Sequence, residues 1–210
     1  MSQKSTPDRI IAATHHSSGF TVADSNFYSL SLASDGRLYY TLCSHNIDTH
    51  GRIYRYDPAT NEVRLLGDLG QITGEAGRKT IPQGKSHSKF FEHEGKLYTG
   101  TQYGFFQASE NKERPADVPA GYQPYPGGHI IAWDMRQERF EDLAVVPAED
   151  GIISMTLDPQ RERIYALTWP RGFFVVYDLR TREIRNLGKV SGDGEIGEGE
   201  KTAYPPAVLD

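Results

Sequence analysis

The sequence predicts an all-β protein, a β-propeller built from four-stranded antiparallel blades. Three observations indicate this fold: a threefold internal repeat, short apolar segments separated by turn residues, and the lack of any window with the periodicity of a long amphipathic helix. Repeats of roughly 40 to 45 residues with four segments each are typical of propeller blades. We place three complete blades in a single domain, residues 1–210, at about 27–69, 86–146 and 151–190.

The repeats share landmarks that set the order of strands in each blade. Their segments are rich in Tyr, Phe, Ile, Val and Thr and are bounded by turn pairs such as Asp-Gly and Glu-Gly, as in antiparallel hairpins. The second segment carries a Tyr, and the third ends in an aromatic residue followed by an Asp, which we expect to accept hydrogen bonds from turn N–H groups. These landmarks are Tyr39, Tyr98 and Tyr165, and the pairs Tyr56-Asp57, Trp133-Asp134 and Tyr177-Asp178.

Two irregular segments interrupt the repeat. An insertion from about 107 to 127, rich in Pro, Glu and Lys, separates the second and third strands of blade 2, and residues 70–85 link blade 1 to blade 2. Long loops on compact domains are often functional. The insertion is therefore the expected contact surface if the protein is a non-catalytic interaction scaffold.

The number of blades suggests that the ring is larger than this chain. Known propellers close with about four to eight blades, and only three are complete in the sequence. We assign 1–26 and 191–210 to partial blades or connections. The terminal blades would then expose strand edges and apolar faces, through which chains could associate.

Composition excludes several classes of protein. The net charge is −5, and the 23 Lys and Arg residues are scattered along the chain, so we expect no nucleic-acid partner and no membrane partner. Cys43 is the single cysteine, which excludes an intrachain disulfide. The first residues lack the apolar run of a signal peptide. We therefore expect a cytoplasmic protein as the chain is written, or an extracellular or periplasmic one if its N-terminus is truncated.

Two glycine-containing motifs match nucleotide-binding loops only in part. GKS at Gly84–Ser86 has Lys79 where a phosphate-binding loop needs its first glycine, and a strand pattern follows it. GDGEIG at 192–197 has the dinucleotide spacing, but no helix pattern follows and neighbouring acidic residues would repel a pyrophosphate. Neither motif predicts a nucleotide site.

All seven histidines precede residue 130, and their positions in the blades predict different roles. His87 is predicted at the start of the innermost strand of blade 2, facing the channel mouth. His129 is predicted at the edge of a site, where the insertion rejoins the blade. His45, Asp48 and His50 share one loop of blade 1 and could ligate a divalent metal; apart from such a metal, we expect no cofactor.

Three further residues are placed by the blade pattern. Tyr103 follows the second strand of blade 2, and Arg171 occupies the corresponding turn of blade 3. At the rim of the channel Arg171 could supply a cation, and Tyr103 is either a packing aromatic beside Gly104 or a functional residue. His93 lies in a hairpin turn on the opposite side of the blade, where we expect it to be solvated.

Three segments carry a resemblance to a known family: GKSHSKFFEHEGKLYTGTQYG (84–104), YPGGHIIAWD (125–134), and GIISMTLDP with RIYALTWPRGFFVVYDL (151–179). Together they resemble the propeller polysaccharide lyases, especially the seven-bladed ulvan lyases and their uncharacterised relatives. The similarity spans about 27–190. It implies that the chain is part of a seven-bladed ring.

This resemblance also implies an activity, β-elimination on a uronic-acid polysaccharide or oligosaccharide. In that reaction a cation neutralises the carboxylate, a base removes the C5 proton and an acid protonates the leaving oxygen. By resemblance, His87 and Tyr103 are the acid and base partners and Arg171 is the neutralising cation. The residues implied to bind the carbohydrate are His129, Lys85, Gln102 and Trp169. Gln102 stands in the GT-x-Y-G segment where members of the family often carry His.

Two alternative functions fit the predicted fold. A non-catalytic propeller would bind a protein or small ligand through its loops and would need no acid–base pair. A metalloenzyme of the sugar-lactone type would need acidic ligands pointing into the channel, and the sequence shows no such Asp and Glu cluster. The lyase hypothesis instead predicts that His87, Tyr103 and Arg171 meet at one end of the channel.

Overall fold

The computed structural model describes residues 12–109, 112–115 and 117–190, with the backbone alone for 106–109 and 112–115. These residues form three four-stranded antiparallel sheets, a two-stranded hairpin and one four-residue helix. The predicted all-β fold of four-stranded blades is confirmed, and within the described residues the blades do not close into a ring. None of this part of the chain forms a helix long and apolar enough to cross a membrane. The segments assigned to partial units, 1–26 and 191–210, fall wholly or partly outside the described residues.

The strands follow one another in chain order. Blade 1 contains β1 (Leu30–Leu32), β2 (Leu38–Leu42), β3 (Arg52–Asp57) and β4 (Glu62–Asp68), and the helix α1 (Leu69–Ile72) follows it. Blade 2 begins with β5 (Phe91–His93) and β6 (Lys96–Gly100), is interrupted by the hairpin of β7 (Phe106–Ser109) and β8 (Lys112–Pro115), and ends with β9 (His129–Asp134) and β10 (Arg139–Val145). Blade 3 contains β11 (Gly151–Asp158), β12 (Arg163–Trp169), β13 (Phe173–Asp178) and β14 (Glu183–Lys189).

Antiparallel pairing puts the connections of every blade at two ends. The turns after the first and third strands of a blade lie at one end, which we call the turn end. The connections after the second strand, and those between blades, lie at the other end, which we call the loop end. Every residue singled out for binding or catalysis lies at the loop end: His45, Asp48, His50, Lys85, His87, Gln102, Tyr103, His129, Trp169 and Arg171.

Alternation along the strands gives each blade two apolar faces, and neighbouring blades pack through them. We call the face toward the next blade the forward face and the face toward the preceding blade the rear face. Tyr39 and Ile53 on the forward face of blade 1 pack with Leu97, Ile131 and Trp133 on the rear face of blade 2. The second junction joins Tyr98, Ile130 and Ala132 to Ile164, Ala166, Val175 and Tyr177.

The outer faces of the three-blade stack are also apolar. On the rear face of blade 1, Leu30 and Leu32 are 54% and 70% exposed, and the Tyr40 and Tyr54 rings stack with their centroids 5.7 Å apart. No described blade covers this face. A groove of about 710 Å³ runs along it.

The predicted role of the Asp after the third strand is confirmed. Asp134 Oδ1 accepts hydrogen bonds from the backbone N–H groups of Arg136 and Gln137, at 3.0 and 2.8 Å. Asp57 and Asp178 accept from their turns in the same way. Because these carboxylates satisfy turn N–H groups, they hold the outer hairpins in place.

The first strand of blade 2 is shorter than the sequence suggested. β5 begins at Phe91, so His87 lies in the connection from blade 1 and not on the strand. The hydroxyls of Ser86 and Ser88 contact the Thr99 hydroxyl, at 3.0 and 3.1 Å. These side-chain hydrogen bonds take the place of ladder pairing in this segment.

Candidate functional site

Two glycines let three segments of the chain meet at the loop end. A Cβ at Gly104 would lie 2.1 Å from the carbonyl oxygen of Ser44, and a Cβ at Gly84 would lie 2.3 Å from the Cα of Gly104. The Ser44 N–H donates to the Gly84 carbonyl at 2.9 Å. The glycine of the GKS motif is therefore required for close packing, and it brings a blade 1 loop against the segments that carry Lys85 and Tyr103.

A first group of residues, which we call the basic corner, surrounds the ring of Phe27. His45 Nδ1 lies 2.9 Å from Asp24 Oδ1, and His45 Nε2 lies 3.5 Å from Lys85 Nζ. Lys85 is only 4% exposed, and its Nζ lies 4.8 Å from the centre of the Phe27 ring. The ring face stabilises this ammonium group electrostatically.

His87 completes the basic corner. Its ring stacks on Phe27, with centroids 4.8 Å apart and planes within 12° of parallel. Its Nε2 is buried and has no hydrogen-bond partner among the described residues. Burial and the positive charge of Lys85 lower the pKa of His87 to about 3. The imidazole is therefore neutral at physiological pH and can accept a proton.

A second group is aromatic. Tyr103 is 3% exposed, and its ring lies 4.7 Å from Tyr125 and 5.0 Å from Trp169, centroid to centroid. Its hydroxyl has no hydrogen-bond partner in the described part of the chain. Burial, and secondarily the nearby carboxylate of Asp150, raise the pKa of Tyr103, so this group is a proton donor and not a base at neutral pH.

Arg171 is held beside the aromatic cluster by a buried carboxylate. Arg171 Nη1 lies 3.1 Å from Asp150 Oδ1, and the Thr168 hydroxyl donates to Asp150 Oδ2 at 2.6 Å. Asp150 is fully buried, and burial raises its pKa despite these partners. The Arg171 side chain is 43% exposed, so it combines a fixed position with access to solvent.

His129 belongs to a buried polar network instead of an edge. Its Nε2 lies 3.0 Å from Glu75 Oε1, and its Nδ1 lies 2.9 Å from Asp142 Oδ1. Gln83 donates to Glu75 at 3.0 Å. Burial lowers the pKa of His129, but the hydrogen bonds to Asp142 and Glu75 outweigh it and raise the pKa to about 9. Both ring nitrogens of His129 contact carboxylates, so this side chain links Glu75 to Asp142.

The blade 1 loop with three candidate metal ligands does not bring them together. His45 faces Asp24, as described above. Asp48 Oδ1 accepts from Lys79 Nζ at 3.0 Å, and His50 Nδ1 accepts from the backbone N–H of Gln83 at 3.1 Å. A spacing of two or three residues in an irregular loop fixes no common direction, and each side chain has found a separate partner.

Gln102 lies between the two groups. Its backbone pairs with that of Lys85 through hydrogen bonds of 2.7 and 3.0 Å, and its side chain is 1% exposed. A Cβ at Gly151 would lie 1.4 Å from Gln102 Oε1, so the amide fills the space beside that glycine. This side chain packs against blade 3, away from solvent.

The predicted residues thus fall into two neighbouring groups. Lys85 and His87 share the basic corner, whereas Tyr103, Trp169 and Arg171 lie with Asp150. Within the described residues, no hydrogen bond or ring contact joins His87 to Tyr103 or Arg171. The backbone pairing of Lys85 with Gln102 is the link between the groups.

Several residues of this end escaped the sequence analysis. Phe27 stands at the start of the first repeat, where the sequence gives no sign of a site residue, and Glu75 and Gln83 lie in the irregular link between blades. A buried Glu in a segment without periodicity gives no local signal. Asp150 is the exception: an acidic residue directly before the glycine that starts a buried strand is a sequence sign of a buried carboxylate.

Comparisons with known proteins return structural similarity only. No family model and no curated protein matches the sequence. Among solved structures, a protein of unknown function from Bacteroides thetaiotaomicron is 11% identical with a TM-score of 0.48, covering 84% of this chain and 35% of its own. The extracellular domain of a one component system from the same species is 12% identical (TM-score 0.47; 79% and 18% covered), and TolB from Acinetobacter baumannii is 13% identical (TM-score 0.45; 80% and 34% covered). The chain spans about a third or less of these proteins.

Proposed function

We propose that the protein is a lyase-like propeller that binds a uronic-acid-containing polysaccharide or oligosaccharide at its loop end and cleaves it by β-elimination. The observation that carries this proposal is His87: a neutral imidazole with a buried nitrogen, Nε2, that has no partner in the described structure, beside the cation Lys85. A base next to a cation is the pair that abstraction of a proton α to a carboxylate requires.

The proposed chemistry uses both groups of residues. Lys85 would bind the uronate carboxylate, since its positive charge lies close enough to lower the pKa of His87. His87 Nε2 would take the C5 proton, the electron pair of that bond would form the C4–C5 double bond, and the C4–O4 bond would break. Tyr103, which burial keeps protonated, would give its hydroxyl proton to the leaving oxygen. Arg171, whose charge acts on Tyr103, would stabilise the phenolate that results.

Binding of the substrate would itself change the pKa of His87. In the free protein the pKa of His87 is about 3, which makes it a weak base. A bound carboxylate would offset the charge of Lys85 and raise the pKa of His87 toward its ordinary value. We therefore expect kcat to fall at higher pH than kcat/KM on the acid side, because kcat reports the complex and kcat/KM the free protein.

The first experiment measures the ultraviolet absorbance of the unsaturated uronate product with ulvan, alginate and polygalacturonate. Removing a general acid or base costs roughly 10²- to 10⁴-fold, so H87A should form product at least a hundredfold more slowly at unchanged affinity. Y103F should lose turnover, and K85M should lose affinity first. His15→Ala changes an exposed histidine and serves as the matched control. Turnover by H87A at the rate of the unmodified protein would refute the catalytic role.

Two observations favour a second candidate, a propeller that binds acidic carbohydrate without cleaving it. Tyr103 is 3% exposed beneath Tyr125 and Trp169, and Gln102 occupies the position at which the related lyases often carry His. Titration calorimetry with the same polymers separates the candidates. Binding that K85M abolishes, without any product, would support the binding function. The absence of both binding and product would refute the two candidates together.

A further inference from the structure

A second cluster of chemistry-bearing side chains lies at the turn end, far along the strands from the basic corner. His93 is the last residue of β5, Glu94 follows it in the β5–β6 turn, and Glu162 lies in the β11–β12 turn of blade 3. One ligand atom from each, an imidazole nitrogen or a carboxylate oxygen, lies within 4.8 Å of the other two. From this geometry we infer that blades 2 and 3 bind a divalent metal ion, of the zinc class, between these three side chains.

The histidine provides an observation independent of the acidic pair. His93 Nε2 is buried, yet no hydrogen-bond partner for it exists among the described residues. A buried polar atom without a partner is unfavourable, and a metal ion would satisfy it. The sequence-based expectation that His93 is solvated does not hold for this nitrogen.

The equivalent junction between blades 1 and 2 is built differently. There the Ser34 backbone N–H donates to Glu92 Oε2 at 2.7 Å, and its hydroxyl also bonds to that carboxylate. Each turn between a first and a second strand has a residue of positive φ directly before a Lys or Arg. This residue is Gly36 before Arg37 in blade 1 and Gly95 before Lys96 in blade 2, with φ of +77° and +76°. In blade 3 it is Glu162 before Arg163, with φ of +51°. A glutamate thus occupies a left-handed position that the other blades give to glycine, and its carboxylate is the one that reaches the neighbouring blade.

The surroundings leave room for a bound ion and its water. A cavity of about 210 Å³ is bordered by the three side chains together with Tyr98, Leu143 and Tyr177. Its cations are largely engaged. Lys96 Nζ lies 2.7 Å from Glu141 Oε1, and Arg182 Nη2 lies 3.8 Å from Glu141 Oε2. Outside the cavity lining, Arg180 Nε lies 3.2 Å from Glu162 Oε2, and the other oxygen of that carboxylate is the one that would bind the metal.

The donor set selects the metal. One imidazole and two carboxylates suit zinc, whereas calcium and magnesium prefer oxygen ligands throughout. Ligands about 2.0 Å from a tetrahedral zinc are about 3.3 Å from each other. The ligand atoms of this cluster lie within 4.8 Å of one another, so they must approach by up to about 1.5 Å. The exposed side chain of Glu94 can make that movement, and a water molecule from the cavity would complete four ligands.

Titration calorimetry of the full chain, stripped with EDTA and titrated with zinc chloride, tests the proposal. We expect one site per chain, with at least tenfold weaker binding in H93A and in E162Q and unchanged binding in the controls His15→Ala and Asp35→Asn, the latter in the blade 1 turn that matches Glu94. Calcium chloride should bind at least tenfold more weakly than zinc. Equal binding by H93A and the unmodified protein, tighter binding of calcium, or no zinc binding would each overturn the proposal.

The Glu162→Gly variant shows whether a loss of zinc binding comes from the missing carboxylate or from misfolding. This variant restores the glycine found in the other two blades, so the metal-free protein should unfold at the same temperature or higher. Zinc should then raise the unfolding temperature of the unmodified protein but not that of E162G. An equal rise in both would refute a role for this carboxylate.

Discussion

Replacing His129 with glutamine tests the buried network of Glu75, His129 and Asp142. The pKa of His129 is raised from 6.5 to about 9, and each unit is worth 1.36 kcal/mol, so the charged network contributes about 3 kcal/mol to folding. Because the folded-state pKa is the higher one, this stability is fully present below about pH 6.5 and is lost as the pH rises through about 9. H129Q should therefore be about 3 kcal/mol less stable than the unmodified protein near pH 6, and the difference should shrink toward pH 10.

The assay is urea denaturation at several pH values, followed by the fluorescence of the buried residues Trp133 and Trp169. The exposed His15→Gln variant is the control for loss of a histidine as such. Parallel pH profiles for H129Q and the unmodified protein would refute the reasoning, because they would show that the network is not charged in the folded state.

Three further predictions concern the loop end and the turns. Acid should destabilise the protein through His87, because its folded-state pKa of about 3 lies below the unfolded value. The free energy of unfolding should therefore fall as the pH is lowered from about 6.5 toward 3. In H87F, urea denaturation should show a smaller fall over the same pH range. Gly104→Ala should cost about 2 kcal/mol or more, since its Cβ would meet a backbone oxygen at 2.1 Å; an unfolding midpoint equal to that of the unmodified protein would contradict this. The Cys43 thiol, fully buried with its pKa raised by burial, should react with a thiol reagent only in urea; rapid labelling of the folded protein would count against that placement.

The blades could be predicted from the sequence because their signals are local. Alternation, turn pairs and the Asp after each third strand all act within a hairpin, and Asp134 caps its turn as expected. The predicted grouping of three metal ligands in the blade 1 loop was wrong because their orientation depends on distant parts of the chain. His45, Asp48 and His50 are close in sequence, but an irregular loop sets no common orientation, and partners from distant segments decided where each side chain lies.

The candidate site was predicted in part for a similar reason. The repeat was enough to assign Tyr103 and Arg171 to corresponding connections of adjacent blades. It could not show that Phe27 would stack on His87, or that the Glu75 carboxylate would bind the His129 ring, because those contacts join segments that have no counterpart in the repeat. Long-range partners of this kind become visible only in three dimensions.

The two outer faces of the stack have a directional consequence. Each junction between blades joins a forward face to a rear face, and these are different surfaces. The two uncovered faces are also one of each kind. The rear face of blade 1 carries Leu38 and Tyr40, and the forward face of blade 3 carries Tyr165 and Phe174. Association that copied the internal junctions would thus be heterologous, head to tail, and would not be related by a two-fold axis through one face. Each such contact adds one more chain in the same direction. The assembly therefore either closes into a ring or continues as a polymer, and it does not form a symmetric dimer.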